Sequence, residues 1–172
     1  MKKIILIAAA LLVSNLIFAQ TECKFKLTSN PITGKQINAI TISTNSTGKC
    51  ILSKKDTTVL LIYKTTAFFA VLEAKTNDVS IQLDSAEVTF DRDIDKKITC
   101  KIRGNATAEN RSVLKPLLES PSFELALTPK LLDLFKNSAT VNFKLMGERA
   151  TEGFAYFTKS DIKKINKALL CF

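Results

Sequence analysis

Apolar and polar residues alternate along several short segments in the first hundred residues of the chain. The period of two is clearest in residues 23–27, 79–83 and 98–102, and it is typical of strands that bury one face. Residues 59–62 form a continuous apolar run, which indicates a central strand. Turn-forming residues such as Asn, Gly, Pro and Asp separate these segments. The pattern predicts an antiparallel sheet folded as a sandwich or as a curved half-barrel.

The last third of the chain predicts two helices. Thr128 followed by Pro129 is a typical helix start, with a hydroxyl N-cap and a proline at the first helical position. Thr158 or Ser160 caps a C-terminal helix. The apolar residues of this helix recur at helical spacing: Ile162, Ile165, Leu169 and Phe172. Residues 104–110 indicate a polar loop. We predict a strand-dominated α+β fold in which the C-terminal helix packs on the sheet.

The first residues have the composition of an export signal. Two lysines follow the initiator methionine, residues 4–13 are all apolar, and Ala19 offers a small side chain for cleavage. The apolar run is shorter than the ~20 residues that span a bilayer, which disfavours a membrane anchor. We predict a signal peptide at residues 1–19, one β-rich domain at residues 20–172, and no transmembrane segment after cleavage. The mature protein would then be periplasmic or extracellular.

Export changes the interpretation of the cysteines. The predicted mature domain contains Cys23, Cys50, Cys100 and Cys171. An even number in an oxidising compartment favours two structural disulfides, for which three connectivities are possible. Four buried free thiols are the alternative, because cysteine is among the most buried residue types. The alternation around Cys100 places this residue on the core-facing side of its strand.

Histidine is absent from the sequence of 172 residues. Its absence excludes histidine-based catalytic triads, histidine zinc ligands and an imidazole pH switch. Carboxylate pairs or a Ser–Lys pair could still support hydrolysis, but no carboxylate or serine lies in a recognisable motif. We therefore predict a non-enzymatic protein without a cofactor, and a histidine-free hydrolase is the third hypothesis for its function.

Asp91, Asp93 and Asp95 lie at alternate positions and would share one face of an extended segment. Three carboxylates in this arrangement could bind a hard cation such as Ca²⁺. The EF-hand pattern is not met, because Lys96 and Ile102 stand where glycine and glutamate are required. A solvated hairpin turn is the favoured interpretation, and we predict no metal site.

The formal net charge is +9, from 25 Lys and Arg against 16 Asp and Glu. Nucleic acid is an improbable partner for an exported protein whose lysines are dispersed along the chain. The densest basic segment is the predicted C-terminal helix, with Lys159, Lys163, Lys164 and Lys167. This patch could make peripheral contact with an anionic surface such as lipid head groups. A solvated helix face that keeps the protein dispersed is the simpler alternative.

The 11 phenylalanines allow a different function, because a curved sheet can enclose a ligand cavity. The candidate lining residues are Phe68, Phe69, Phe90, Phe143, Phe154 and Phe157. Such a cavity would make the protein a carrier of a lipid-like apolar ligand. A packed core is the commoner use of phenylalanine.

Near the C-terminus, the sequence Gly153-Phe154-Ala155-Tyr156-Phe157 runs into a helix that ends at Cys171. Together with the leader, this pattern resembles small exported bacterial proteins of unassigned function. The resemblance covers about the last fifty residues and the leader, and it implies no active-site residue. The leading hypothesis is an exported, non-enzymatic β-rich module that binds an unknown partner in the bacterial envelope or outside the cell. The apolar-ligand carrier is the alternative hypothesis.

Overall fold

A computed structural model describes residues 23–45, 48–65, 67–70, 78–91, 93–109, 117–119, 121–147 and 152–172. In this part of the chain there are eleven β-strands and two α-helices. The strands are β1 (Lys26–Ser29), β2 (Gln36–Ser43), β3 (Lys49–Lys55), β4 (Thr58–Lys64), β5 (Ala67–Ala70), β6 (Asp78–Phe90), β7 (Asp93–Glu109), β8 (Leu117–Glu119), β9 (Ser122–Leu127), β10 (Val141–Gly147) and β11 (Glu152–Phe157). The helices are α1 (Pro129–Asn137) and α2 (Lys159–Leu169). The predicted signal peptide lies outside the described residues.

The described strands form one sheet in the order β1-β2-β3-β4-β9-β7-β6-β10-β11-β5-β8. Every neighbouring pair is antiparallel. The sheet curls into a half-barrel. Tyr63 on β4 and Phe157 on β11 are in contact across its inner face, with ring centroids 4.4 Å apart, although four strands separate them in the sheet. The predicted antiparallel, strand-dominated fold is confirmed, in its half-barrel form.

Alternation along each strand decides which side chains enter the core. On β4, Leu61 and Tyr63 are fully buried on the inner face, whereas Ile62 between them belongs to a smaller cluster on the outer face. Aromatic rings fill the centre of the inner face. The fully buried rings are Tyr63, Phe90, Phe123, Phe135, Phe143 and Phe157. Cys100 packs against this core, as its position in the alternating pattern predicted.

Both helices begin where the sequence predicted. The Thr128 hydroxyl accepts a hydrogen bond from the Leu131 N–H, and a proline occupies the first turn of α1. The Thr158 hydroxyl accepts from the Asp161 N–H, and the Asp161 carboxylate accepts from the Thr158 N–H, which completes a capping box. The apolar side of α2 packs against β2, β3 and β11, so the C-terminal helix lies on the inner face of the sheet.

Residues 104–109 and strand β3 differ from the sequence-based expectation. The predicted polar loop at residues 104–110 is wrong for residues 104–109, because β7 continues to Glu109. The residues of this segment are small or polar, and their strand conformation comes from pairing with β6, in which Asp78 lies opposite Glu109. Strand β3 was not predicted. Its apolar run of three residues is flanked by lysines, and its position is fixed by pairing between β2 and β4.

Candidate functional site

One disulfide joins the two ends of the described chain. Cys23 and Cys171 are bonded with their Cα atoms 5.7 Å apart, across 148 residues of sequence. The expected second disulfide is wrong, because Cys50 and Cys100 are free thiols. Strands β4 and β9 lie between the strands that carry these two cysteines. Since neighbouring strands are about 4.8 Å apart, roughly 14 Å of sheet separates them, well beyond disulfide reach.

The N-terminal segment leaves the sheet to reach this disulfide. Strand β1 pairs with β2 from Lys26 opposite Ala39 to Ser29 opposite Gln36. Residues 23–25 are not part of the strand, so the predicted strand at residues 23–27 starts later than its alternation indicated. These residues run toward the C-terminal end of α2 instead.

The space between this segment, β2 and α2 is a groove of about 380 Å³. We call it the basic groove. Its lining residues are Lys24, Lys26, Ile40, Thr41, Lys164, Lys167, Ala168 and Cys171. Four of these eight are lysines, and among the described residues that line the groove none is acidic. The apolar contacts come from Ile40 and Ala168. The described lining of the groove is therefore concave and predominantly basic.

Hydrogen bonds hold the helix side of the groove in place. The Lys164 ammonium donates to the Ser43 carbonyl at 3.2 Å and to the Asn45 side-chain oxygen at 3.3 Å. The Asn45 N–H in turn donates to the buried Asp161 carboxylate at 2.8 Å. These bonds connect the first half of α2 to the turn after β2. Lys167 follows Lys164 by three residues, so both lysines lie on the same side of the helix.

The structure divides the predicted basic patch into two pairs. Lys164 and Lys167 line the groove, whereas Lys159 and Lys163 are exposed and do not line it. Sequence reasoning missed Lys24 and Lys26, which supply the opposite wall. Their alternation with apolar residues did place both lysines on one side of the segment, and this was the available signal.

The side chains that line the groove are suited to binding anions. Lysine ammonium groups donate hydrogen bonds and attract anions, and their aliphatic stems cover apolar surface. The groove cysteine is held in the disulfide and is not a nucleophile. Of the free thiols, Cys50 has its pKa raised by complete burial and, to a smaller extent, by the charge of Asp161, and burial also raises the pKa of Cys100. Both thiols are therefore protonated and weakly reactive near neutral pH.

The predicted aspartate cluster is described only in part. The Asp91 carboxylate accepts a hydrogen bond from the Ala139 N–H at 2.9 Å, which connects the β6–β7 turn to the segment before β10. The side chains of Asp93 and Asp95 lie outside the described part. Within the described residues there is no group of three or more potential metal ligands.

The phenylalanines proposed as a cavity lining have different environments. Phe90, Phe143 and Phe157 are buried in the core, and the rings of Phe143 and Phe157 are 5.4 Å apart in an edge-to-face contact. Phe154 is exposed on β11. The side chains of Phe68 and Phe69 lie outside the described part. The three buried rings contact other aromatic rings and stabilise the core.

Comparisons of the chain with protein-family models, with curated proteins and with solved structures found no match. No helix in the described residues is both long enough and apolar enough to span a membrane.

Proposed function

We propose that this protein is an exported, non-enzymatic module that binds an anionic partner of the bacterial envelope or extracellular space through the basic groove. The observation that carries the proposal is the convergence of four lysines on one cavity. Two come from the N-terminal segment and two from α2. Ammonium groups that converge on a concave surface raise the local electrostatic potential and attract anions.

The leader and the disulfide support the export part of the proposal. The first residues have the pattern of a signal peptide, and disulfides persist mainly in oxidising compartments. The disulfide also bears on binding, because Cys23 adjoins Lys24 and Cys171 follows Lys167 by four residues. It thereby holds the two lysine pairs on opposite sides of one groove.

A titration with inorganic pyrophosphate, followed by calorimetry at low ionic strength, tests the groove. Lys26→Glu and Lys167→Glu are each expected to weaken binding about ten-fold or more, because each replaces an attractive charge by a repulsive one within a few ångströms of the anion. Lys163→Glu is the matched control. It makes the same charge change on the same helix outside the groove, so its effect should be small and abolished by moderate salt.

Two results would contradict the proposal. One is the absence of pyrophosphate binding by the wild-type protein at low ionic strength. The other is an equal loss of affinity in Lys163→Glu and Lys167→Glu, since that would show a response to net charge alone. Thermal unfolding of each variant checks that the fold is retained.

A further inference from the structure

Exposed apolar side chains are concentrated beside the basic groove. The structure exposes five large apolar side chains in its described part: Phe25, Leu27, Phe154, Tyr156 and Leu170. Three of them belong to the two segments that the disulfide joins. Leu27 is 73% exposed, Leu170 is 72% exposed and Phe25 is 38% exposed. Phe25 also contacts the ring of Phe172, with centroids 5.3 Å apart, so the two segments carry these apolar side chains at the same end of the molecule. We call Phe25, Leu27 and Leu170 the apolar surface.

This apolar surface lies outside the groove. Leu27, Leu170 and Phe25 are not among the residues that line it. In the N-terminal segment, Phe25 and Leu27 directly follow Lys24 and Lys26 in the sequence, so the apolar side chains border the basic ones. A small anion confined to the groove would leave the apolar side chains in water. A partner that covers both must combine negative charge with an apolar phase.

An anionic lipid bilayer has this combination. Phosphate head groups attract lysines at the membrane surface, and each lysine there contributes about 1 kcal/mol of affinity. Apolar side chains enter the boundary between head groups and acyl chains, while lysine stems lie along it and keep their charges in the head-group layer. From this juxtaposition we infer that the disulfide-linked ends form a peripheral membrane-binding surface. In it, the basic groove takes the phosphate of an anionic lipid, and Phe25, Leu27 and Leu170 insert. The inference rests on the proposed function, because it uses the same groove.

The test is co-sedimentation of the exported protein with lipid vesicles, after N-terminal sequencing has established that the leader is absent. One set of vesicles contains equal parts of phosphatidylglycerol and phosphatidylethanolamine, and the other contains phosphatidylcholine alone. Binding is expected only to the anionic set. Lys167→Glu should weaken it at least about five-fold, and Lys163→Glu should weaken it less.

The apolar contribution needs its own variants. Leu27→Asn and Leu170→Asn should each weaken binding to anionic vesicles about ten-fold, because each replaces a side chain that would leave water. Their affinity for pyrophosphate should not change. Phe154→Asn is the matched control. It removes an exposed aromatic side chain on β11, outside the two segments that the disulfide joins, and should leave vesicle binding intact.

The outcomes separate this inference from the proposed function. Pyrophosphate binding without binding to anionic vesicles would overturn the lipid inference and leave the anion groove standing. An effect of Phe154→Asn as large as that of Leu27→Asn would also overturn it. If the wild-type protein bound neither pyrophosphate nor anionic vesicles, both the anion-binding groove and the lipid-binding surface would be contradicted.

Discussion

Asp161 is the buried charge on which the start of α2 depends. Its side chain is fully buried, and it accepts hydrogen bonds from the Asn45 N–H, the Thr158 N–H and the Thr158 hydroxyl. A charged carboxylate is tolerated in such a place when its lone pairs are satisfied. The same residue therefore caps the helix and attaches it to the turn after β2.

Replacing Asp161 by Ala is expected to lower the free energy of unfolding by about 2–4 kcal/mol, because the cap is lost and the Asn45 and Thr158 N–H groups lose their acceptor. Asp161→Asn should cost less, since the amide retains one acceptor oxygen. Urea denaturation measures both. Asp133→Asn, on the exposed side of α1, is the control and should change stability by less than about 0.5 kcal/mol. Equal effects at the two positions would refute this account of Asp161.

The buried thiol of Cys50 should make the free energy of unfolding depend on pH in the alkaline range. Burial raises its pKa in the folded protein above the ordinary value of 9.0, so the folded state keeps a proton that the unfolded chain releases. The stabilising contribution is complete below pH 9 and is lost as the pH rises further. Above about pH 10, this group should reduce the free energy of unfolding by about 1.4 kcal/mol per pH unit.

A comparison with Cys50→Ala isolates this effect, because the lysines and tyrosines titrate in both proteins. Denaturation curves at several alkaline pH values should show a shallower decline of stability for the variant, even though its absolute stability is lower. Parallel declines in the two proteins would show that Cys50 does not titrate differently in the folded and unfolded states.

At the level of elements, β7 is the strand that connects the two halves of the sheet. Gly104 pairs with Leu83 of β6 on one side and with Phe123 of β9 on the other. A Cβ at this position would overlap the Ser122 carbonyl oxygen and lie 3.0 Å from the Phe123 Cα. Both are backbone atoms of a paired strand, so they can yield only if the pairing changes. A glycine is therefore required by close approach of two strands.

Gly104→Ala is expected to destabilise the protein by at least about 2 kcal/mol, by separating β7 from β9. Gly34→Ala provides a comparison. Gly34 has a positive φ of 70°, but a Cβ added there would meet no atom within 4 Å, so that variant should lose only about 1 kcal/mol from backbone strain. Chemical denaturation of the two variants checks the order, and a smaller loss for Gly104→Ala would contradict the steric argument.

The elements that could be predicted from the sequence are those whose signals are local. The apolar run at residues 59–62, the alternation at residues 98–102, and the capping residues Thr128 and Thr158 all occur where the structure places strands and helix starts. Residues 104–109 could not be predicted as a strand, because their side chains are small or polar and their strand conformation comes from pairing with β6 and β9. Local propensity does not contain that information.

The disulfide is the element that assembles the groove, and its removal should affect stability and binding together. Cys23→Ser combined with Cys171→Ser is expected to lower the free energy of unfolding by about 3–5 kcal/mol, because the bond closes a very long loop. It should also weaken pyrophosphate binding, since the bond no longer holds the segment that carries Lys24 opposite α2. Cys100→Ser leaves the bond intact and serves as the control. Unchanged affinity in the double variant would show that the groove does not depend on the disulfide.

For the whole molecule, the candidate site exists only because the two ends of the described chain meet. Lys164 and Lys167 could be proposed from the sequence, because helical spacing places them on one side of α2. Lys24 and Lys26 could not be assigned to the same site as Lys164 and Lys167. The sequence leaves three disulfide connectivities open and does not fix the position of α2 on the sheet. The half-barrel and the Cys23–Cys171 bond together bring these distant residues into one groove.

Because the groove depends on the disulfide, we expect it to form in an oxidising compartment. Cleavage of the leader and formation of the disulfide should therefore be found on the same exported protein. When the full chain is expressed in a Gram-negative host, the exported protein should begin at Gln20, as N-terminal sequencing would show. Alkylation of that protein after unfolding without reductant should label two cysteines, Cys50 and Cys100. A version of the chain that starts at Gln20 and stays in the reducing cytoplasm should be labelled at all four cysteines. Four labels on the exported protein, or an intact leader on it, would contradict the proposal that export completes the binding site.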